Sequence, residues 1–231
     1  DALCSHLEAV ARGEILRLVG NTCPRHGKSN IFAILWPAWV WTWRPSAKFI
    51  YLSYSDELVV EHSVKCRAVV ESEWYRTLYR PAWSLLNYQN TKHDFATTAG
   101  GRRIATSVKA GVTGRGADYL AVDDPLGVEE STSLAVRETA QRVITQAAST
   151  RLDDPQRGAV VMIMQRVHAG DPSDWAIKAG YQHLCMPAEF VEGRRSITYR
   201  VVEKKNGHVE RVREEFWRDP RTVEGELLVP N

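Results

Sequence analysis

Four short apolar runs constrain the fold more than anything else in the chain: EILRLVG (14–20), AKFIYLS (47–53), ADYLAV (117–122) and AVVMIMQ (159–165). Each gives way to polar residues at its C-terminal end, and segments of helical texture separate them. A strand buried on both faces reads as a continuous apolar run, and such strands belong to parallel sheets covered by helices. Alternation with helices therefore predicts an α/β protein with a mostly parallel central sheet flanked by helices.

The intervening segments fill in this outline. Residues 5–12 read as a short helix. Residues 29–43 read as a helix apolar nearly all round, hence buried, with Pro37 kinking it or ending it early. Residues 56–72 read as an amphipathic helix with Leu58, Val59, Val64, Ala68 and Val69 on one side, and 131–150 as a further helix. Two short runs around Ala99-Gly100-Gly101 predict a hairpin within 97–108. After about Pro187 the chain becomes densely charged, and Asn206-Gly207 is a strong hairpin-turn signal. The expected organisation is a core of 1–187 and a small β-rich lid or linker subdomain of 188–231.

Composition narrows the class without naming it. The chain has 231 residues, 44% apolar and 25% charged, the make-up of an ordinary globular protein with a sizeable core. A net charge of +2 makes no case for nucleic acid, so such a case must come from local motifs. The four cysteines, Cys4, Cys23, Cys66 and Cys185, form no C-x-x-C or zinc spacing, which favours a reducing compartment. The longest apolar stretch, Ile31 to Trp43, contains a proline and falls short of the roughly 20 residues a membrane helix needs. The start, DALCSHLEAV, has no basic-then-apolar leader pattern. A first residue other than Met and a mid-pattern ending in LLVPN give the chain the look of a piece cut at both ends.

The chemistry begins at NTCPRHGKSN, between the first run and the helix after it. Phosphate loops read G-x-x-x-x-G-K-[ST], and Gly27, Lys28 and Ser29 fit the tail of that pattern. Thr22 stands where the opening glycine would be, so Thr22 or Cys23 must make the entry turn without positive φ. In such a loop backbone N–H groups cradle phosphate, the lysine reaches the β- and γ-phosphates, and the hydroxyl meets Mg²⁺. Arg25 adds a second cation. The competing reading is a surface turn holding Gly-Lys-Ser by chance.

Three later motifs bear on that choice. YLAVDDP puts Asp123 and Asp124 at a strand end, fit for a metal-side acid and a water-orienting acid, though Asp-Asp-Pro is also good turn chemistry. TGRGAD presents Arg115 between glycines, either as a cation for charge developing on a γ-phosphate or as an ordinary solvated arginine. VVMIMQRVH ends a strand on Gln165, either a γ-phosphate sensor or a plain polar cap. Trp36, Trp39 and Trp43, at helical spacing, read as core rather than as a stacking platform for single strands. His62, His93 and His168 have no metal-like spacing and no assignment.

Taken in order, PRHGKS, AKFIYLSYSDELVVEHS, the double-glycine hairpin, TGRGADYLAVDDP and MQRVHAGD resemble the large terminase subunit of tailed bacteriophages. The resemblance runs from HLEAVARGEILRLVGNTCPRHGKS to VVMIMQRVHAGDPSDW. It implies a P-loop ATPase of the ASCE type that uses ATP and Mg²⁺ to drive double-stranded DNA into a preformed capsid. A metal nuclease domain would follow such a domain in the family, and no acid cluster after Pro187 fits one here. By position, Pro24, Arg25, His26, Gly27, Lys28 and Ser29 would hold nucleotide, and Ser29 and Asp123 the metal. Asp124 stands where many terminases have a catalytic glutamate, with Glu129 and Glu130 as fallback bases. Arg115 would act in trans as the arginine finger, and Gln165 would couple hydrolysis to motion. Arg102, Arg103 and Lys109 are candidate DNA contacts, or an ordinary basic face.

The implied partners are a homo-oligomeric ring, pentameric on the capsid portal, the portal protein, the small terminase subunit and double-stranded DNA, with no membrane. The implied location is the cytoplasm of an infected bacterial host and, transiently, the procapsid portal. A helicase-like ATPase on nucleic acid, a non-hydrolysing nucleotide-binding module and a small-molecule kinase are the rival readings. The first would need further helicase motifs and a second similar domain, and the last leaves TGRGAD unexplained.

Overall fold

The computed structural model describes residues 2–112, 114–205 and 209–228. Strands β1 (Arg17–Thr22), β2 (Lys48–Ser53), β3 (Leu85–Asn90), β4 (Asp94–Thr97), β5 (Arg102–Ser107), β6 (Tyr119–Asp123), β7 (Ala159–Met164) and β8 (Gln182–Met186) form one eight-stranded sheet ordered β3-β4-β5-β2-β6-β7-β1-β8. Every pairing from β5 to β8 is parallel, and β4 runs antiparallel to both β3 and β5. The sheet is mostly parallel, as the four apolar runs predict.

Helices cover both faces. On one side lie α1 (Ala2–Ala11), α2 (Trp36–Val40), α3 (Asp56–Glu71) and α4 (Glu73–Tyr79), packed on Leu18, Phe49, Tyr51, Ala121 and Val161. On the other lie α5 (Leu134–Thr150) and α6 (Pro172–Lys178), packed on Val19, Ile50, Leu52, Val122 and Met162. Neighbours along a strand thus enter opposite cores, and every residue of β6 and β7 is buried. Among the described residues, no helix is long and apolar enough to cross a membrane.

The segment expected to be one helix over 29–43 is built differently. A π-helical stretch, Asn30–Leu35, precedes α2, and Pro37 sits in the first turn of α2 rather than ending the helix. The chain turns at Trp41, which is fully buried and donates its indole N–H to Ala47 O at 2.9 Å, while Trp43 is 48% exposed. Trp41, not Trp43, joins Trp36 in the core. On α3 the buried face is Val59, His62, Ser63, Cys66 and Val70; of the expected apolar side Val59 is buried and Val69 packs partly buried on the core, while Val64 and Ala68 are exposed. The double-glycine hairpin forms between β4 and β5, and a Cβ on Gly101 would lie 2.3 Å from Pro45 O.

The C-terminal segment forms a separate antiparallel pair, β9 (Ile197–Lys205) and β10 (Val209–Arg218). Its expected Asn206-Gly207 turn lies outside the described residues. This hairpin docks against α1 and the β8 edge. Thr198 bonds His6 Nε2 at 2.7 Å, His6 meets the Phe216 and Trp217 rings edge-on, and Arg200 pairs with Glu14 at 3.0 Å. Ser196 Oγ accepts from Cys185 N and donates to His183 O, and Gln182 Oε1 accepts from Tyr199 N. Side chains thereby occupy polar groups on an edge strand that would otherwise invite pairing.

Candidate functional site

The C-terminal ends of β1, β6 and β7 meet at one place. β7 lies between the other two, pairing Asn21 with Met164 and Asp123 with Ile163. The loop after β1 therefore faces the acids after β6 across one intervening strand.

The loop makes its turn without an opening glycine. Thr22 stays in β1, and the left-handed positions are Arg25 (φ 64°) and Gly27 (φ 71°). Pro24, Arg25, His26 and Gly27 are exposed, and His26 Nδ1 lies 2.8 Å from Pro24 O. Lys28 turns inward and is buried, whereas Ser29 is half-buried at the start of the helical segment. Ser29 makes no side-chain cap bond, and the first turn of any helix leaves backbone N–H groups without carbonyl partners.

Lys28 Nζ lies 2.8 Å from Asp124 Oδ1 and 2.6 Å from Oδ2. Gln165 N–H donates to Asp124 Oδ1 at 3.1 Å. The Asp124 backbone is left-handed (φ 42°) and pinned on two sides, its N–H to Ile163 O at 3.0 Å and its carbonyl to Tyr54 N at 3.1 Å. Burial pushes the Asp124 carboxyl above the usual carboxylate range, while Lys28 and the Gln165 N–H pull it back.

Asp123 is almost wholly buried. Its Oδ1 accepts from Ser29 Oγ at 3.2 Å, and its Oδ2 has no hydrogen-bond donor. His62 Nδ1 stands 3.4 Å from Oδ2, within ion-pair range but out of line for a hydrogen bond. A buried carboxylate oxygen without a donor beside a serine hydroxyl suits a hydrated divalent cation. Among the described residues no cluster of three His, Cys, Asp or Glu exists that would hold a metal alone. Mg²⁺ needs none, because it binds through one or two protein groups and fills its shell with water and phosphate oxygens.

Of the other expected site residues, Arg115, Glu129 and Glu130 lie apart from this centre. Arg115 is half-exposed and pairs with Asp94 at 2.8 Å, sharing that carboxylate with Arg102; Thr113 of its motif lies outside the described residues. Gln165 enters through its backbone. Glu130 pairs with Lys109 at 2.9 Å, and Glu129 is exposed on a short 3-10 turn. Among the candidate DNA contacts, Arg103 is wholly buried and is withdrawn, while Arg102 is half-buried and Lys109 exposed.

Two groups of residues join the site without local signal. One is His62, which reaches Asp123 from α3. The other is Asn21, whose amide donates to Met164 O at 3.1 Å and Ser173 Oγ at 2.8 Å and whose carbonyl oxygen meets His183 Nε2 at 2.8 Å. Asn21 thus ties the strand entering the loop to β7, α6 and β8. A cleft of about 800 Å³ opens beyond it, lined by Asn21, Arg166, His183, Cys185, Arg195 and Ser196. No family model matches this chain, and no curated protein matches it either.

Proposed function

We propose that this chain is an ATPase domain of the large-terminase kind, binding ATP on Pro24–Ser29 and hydrolysing it to drive double-stranded DNA. One observation carries the reading: Lys28 and Ser29 of a single loop meet Asp124 and Asp123 of a single strand end, at 2.6–2.8 Å and 3.2 Å, in the order the motifs require. A chance Gly-Lys-Ser turn has no reason to bury its lysine against a carboxylate pair. The interposed β7 supports the mechanical subclass of P-loop ATPases, in which an extra strand separates the loop from the metal-side acid.

In this reading the loop N–H groups and Lys28 hold the β- and γ-phosphates. Ser29 and Asp123 hold Mg²⁺, which would neutralise charge on the phosphate oxygens. When Lys28 bonds phosphate, Asp124 is released to accept a hydrogen bond from water and align it for in-line attack. Gln165, bonded to Asp124 through its N–H, carries the change to the strand end and α6. Arg115 belongs to a neighbouring subunit's site, which agrees with its exposure and with its distance in sequence and contacts from this subunit's acids. The same reading brings the ring, the portal protein, the small subunit and the infected-cell location.

A second reading, a nucleotide-binding module without turnover, draws on Asp124 itself, which is one methylene shorter than glutamate and already bonded to Lys28. Steady-state ATP hydrolysis against protein concentration separates the two, with Lys28→Ala, Asp124→Asn and Arg115→Ala alongside. The motor reading expects specific activity that rises with concentration, is lost in all three variants, and returns when Arg115→Ala is mixed with Lys28→Ala. Binding without turnover at any concentration favours the module. Unchanged nucleotide binding by Lys28→Ala removes the loop assignment altogether.

A further inference from the structure

Arg103 is a buried charge that the site described so far does not use. It stands on β5, wholly buried, between Phe95 and Phe49 in register. Its guanidinium lies 4.1 Å from the Tyr51 ring centre, and one Nη donates to Ala33 O at 3.0 Å. Its Nε and other Nη make no hydrogen bond of good geometry and no carboxylate lies within ion-pair distance, although the Cys66 thiol and the Asp123 carboxylate are within its electrostatic reach. Ala105 and Ala121 flank Tyr51 on the neighbouring strands, which leaves room for so long a side chain. Desolvating a guanidinium without an ion pair is unfavourable, so packing alone does not account for it.

Its bond to Ala33 O has a counterpart. Tyr51 O–H donates to Phe32 O at 2.8 Å, the carbonyl immediately before. Both carbonyls belong to the π-helical stretch Asn30–Leu35 that follows Lys28 and Ser29. The explanation lies at Pro37, which has no N–H. In α spacing the group deprived of a donor is Ala33 O, and in π spacing it is Phe32 O. The π register itself is visible in Trp36 N–H bonding Ile31 O. Pro37 withholds one N–H, from Ala33 O or from Phe32 O according to the register, and side chains of the sheet donate to both carbonyls. Burial holds the Tyr51 phenol well above its ordinary range, so it remains a donor.

We propose that Arg103 and Tyr51 are positioning residues for the loop: by donating to Ala33 O and Phe32 O they tie the π-helical turn behind it to the sheet, Tyr51 serving the carbonyl that π spacing leaves without a donor, and so they place Lys28 and Ser29 against Asp124 and Asp123. A π turn is wider than an α turn, is rare, and is frequently found at functional sites. Returning this one to α spacing would narrow and rotate the first turn, carrying Lys28 and Ser29 with it. The proposal rests on the loop being a phosphate site, and its test is arranged to fail separately from that reading.

The experiment measures binding of mant-ATP with Mg²⁺ and the melting temperature of the same samples, for the full chain and for Tyr51→Phe, Arg103→Met and Arg103→Lys. Tyr51→Phe keeps the ring and loses only the donor. Arg103→Met keeps the volume and removes an unpaired buried charge, a change that is often neutral or stabilising. The expected result is roughly 10-fold weaker binding for Tyr51→Phe and Arg103→Met, the scale of one lost hydrogen bond. The melting temperature should hold or rise in Arg103→Met, and Arg103→Lys should recover most of the affinity. Unchanged affinity in Tyr51→Phe and Arg103→Met overturns the positioning role. So does a parallel fall in affinity and melting temperature in both, which is what a merely structural contact produces. A wild-type chain that does not bind mant-ATP overturns the loop reading, and the positioning role with it, before any variant is compared.

Discussion

Lys28 Nζ lies within 2.8 Å of both carboxylate oxygens of Asp124, a residue held at a φ of 42°. The lysine begins a helix and the acid immediately follows a strand two places away in the sheet. Their meeting makes the site a single electrostatic unit, because Lys28 is buried, Asp124 is half-buried, and each offsets the other's desolvation.

That unit sets a pH dependence. Burial is the largest influence on Asp124 and raises its pKa from the ordinary 3.8, with Lys28 opposing. A water-orienting carboxylate works only when ionised. Turnover should therefore fall on the acid side around a midpoint above that of a solvent-exposed aspartate. A pH–rate profile of kcat checks this; an acid limb at or below the ordinary aspartate value would show that Asp124 is not the titrating base.

Asp123 presents one oxygen to Ser29 and leaves the other beside His62 at 3.4 Å. A group that steadies a metal-side acid is typically worth 10–100-fold in metal affinity. His62→Ala is expected to raise the Mg²⁺ concentration for half-maximal ATPase by about that factor, with little change in nucleotide binding by the loop. Titrating Mg²⁺ at saturating ATP is the measurement. An unaltered Mg²⁺ requirement would reduce His62 to a packing residue.

Local pattern carries far in this chain and then stops for identifiable reasons. β1, β2, β6 and β7 are legible because strands covered on both faces must be apolar throughout. β8 is not, since QHLCM is half-polar and only its middle residue is fully buried. The α6 start carries a signal that apolar counting passes over: Asp171 caps it with bonds to Ser173 and Asp174 N–H, and Pro172 opens it. On α3, counting apolar residues favours Val64 and Ala68, whereas the buried side carries His62, Ser63 and Cys66, which face the acids and Arg103. Lys28, Ser29, Asp123 and Asp124 follow from motif order. His62, Asn21 and Arg103 join through contacts between distant segments, which no window of sequence contains.

The hairpin joint should be acid-sensitive. His6 is buried between α1 and the hairpin, bonded to Ala2 O and Thr198 and faced by Phe216 and Trp217. Burial is the larger influence and lowers its pKa below 6.5, with the Ala2 bond opposing. A histidine with a lowered folded-state pKa contributes stability that is present above its unfolded value and lost as pH falls through the folded one. Stability should therefore decline from about pH 6.5 downwards, and His6→Gln should flatten that slope at some cost near pH 7.5. Urea unfolding at pH 7.5 and 5.5 for both chains measures it. Equal slopes in the two would place the acid sensitivity elsewhere, with His183, also lowered by burial, the next group to replace.

The loop offers a test in which two neighbouring substitutions have opposite signs. Arg25 and Gly27 are both left-handed, at φ 64° and 71°, and only one of them is glycine. A side chain in that region costs about 1–2 kcal/mol. Exchanging alanine and glycine also changes the freedom of the unfolded chain by about 0.4–1 kcal/mol in the other direction. Arg25→Gly should therefore stabilise the chain by up to about 1 kcal/mol, and Gly27→Ala should destabilise it by a similar amount, with nothing within 4 Å of the added Cβ to blame. Nucleotide affinity should drop in both, through a lost cation in the first and a distorted loop in the second. Chemical denaturation midpoints decide the stability half. If Arg25→Gly proves as destabilising as Gly27→Ala, Arg25 is not left-handed, and the loop must find its entry turn at Thr22 or Cys23 after all.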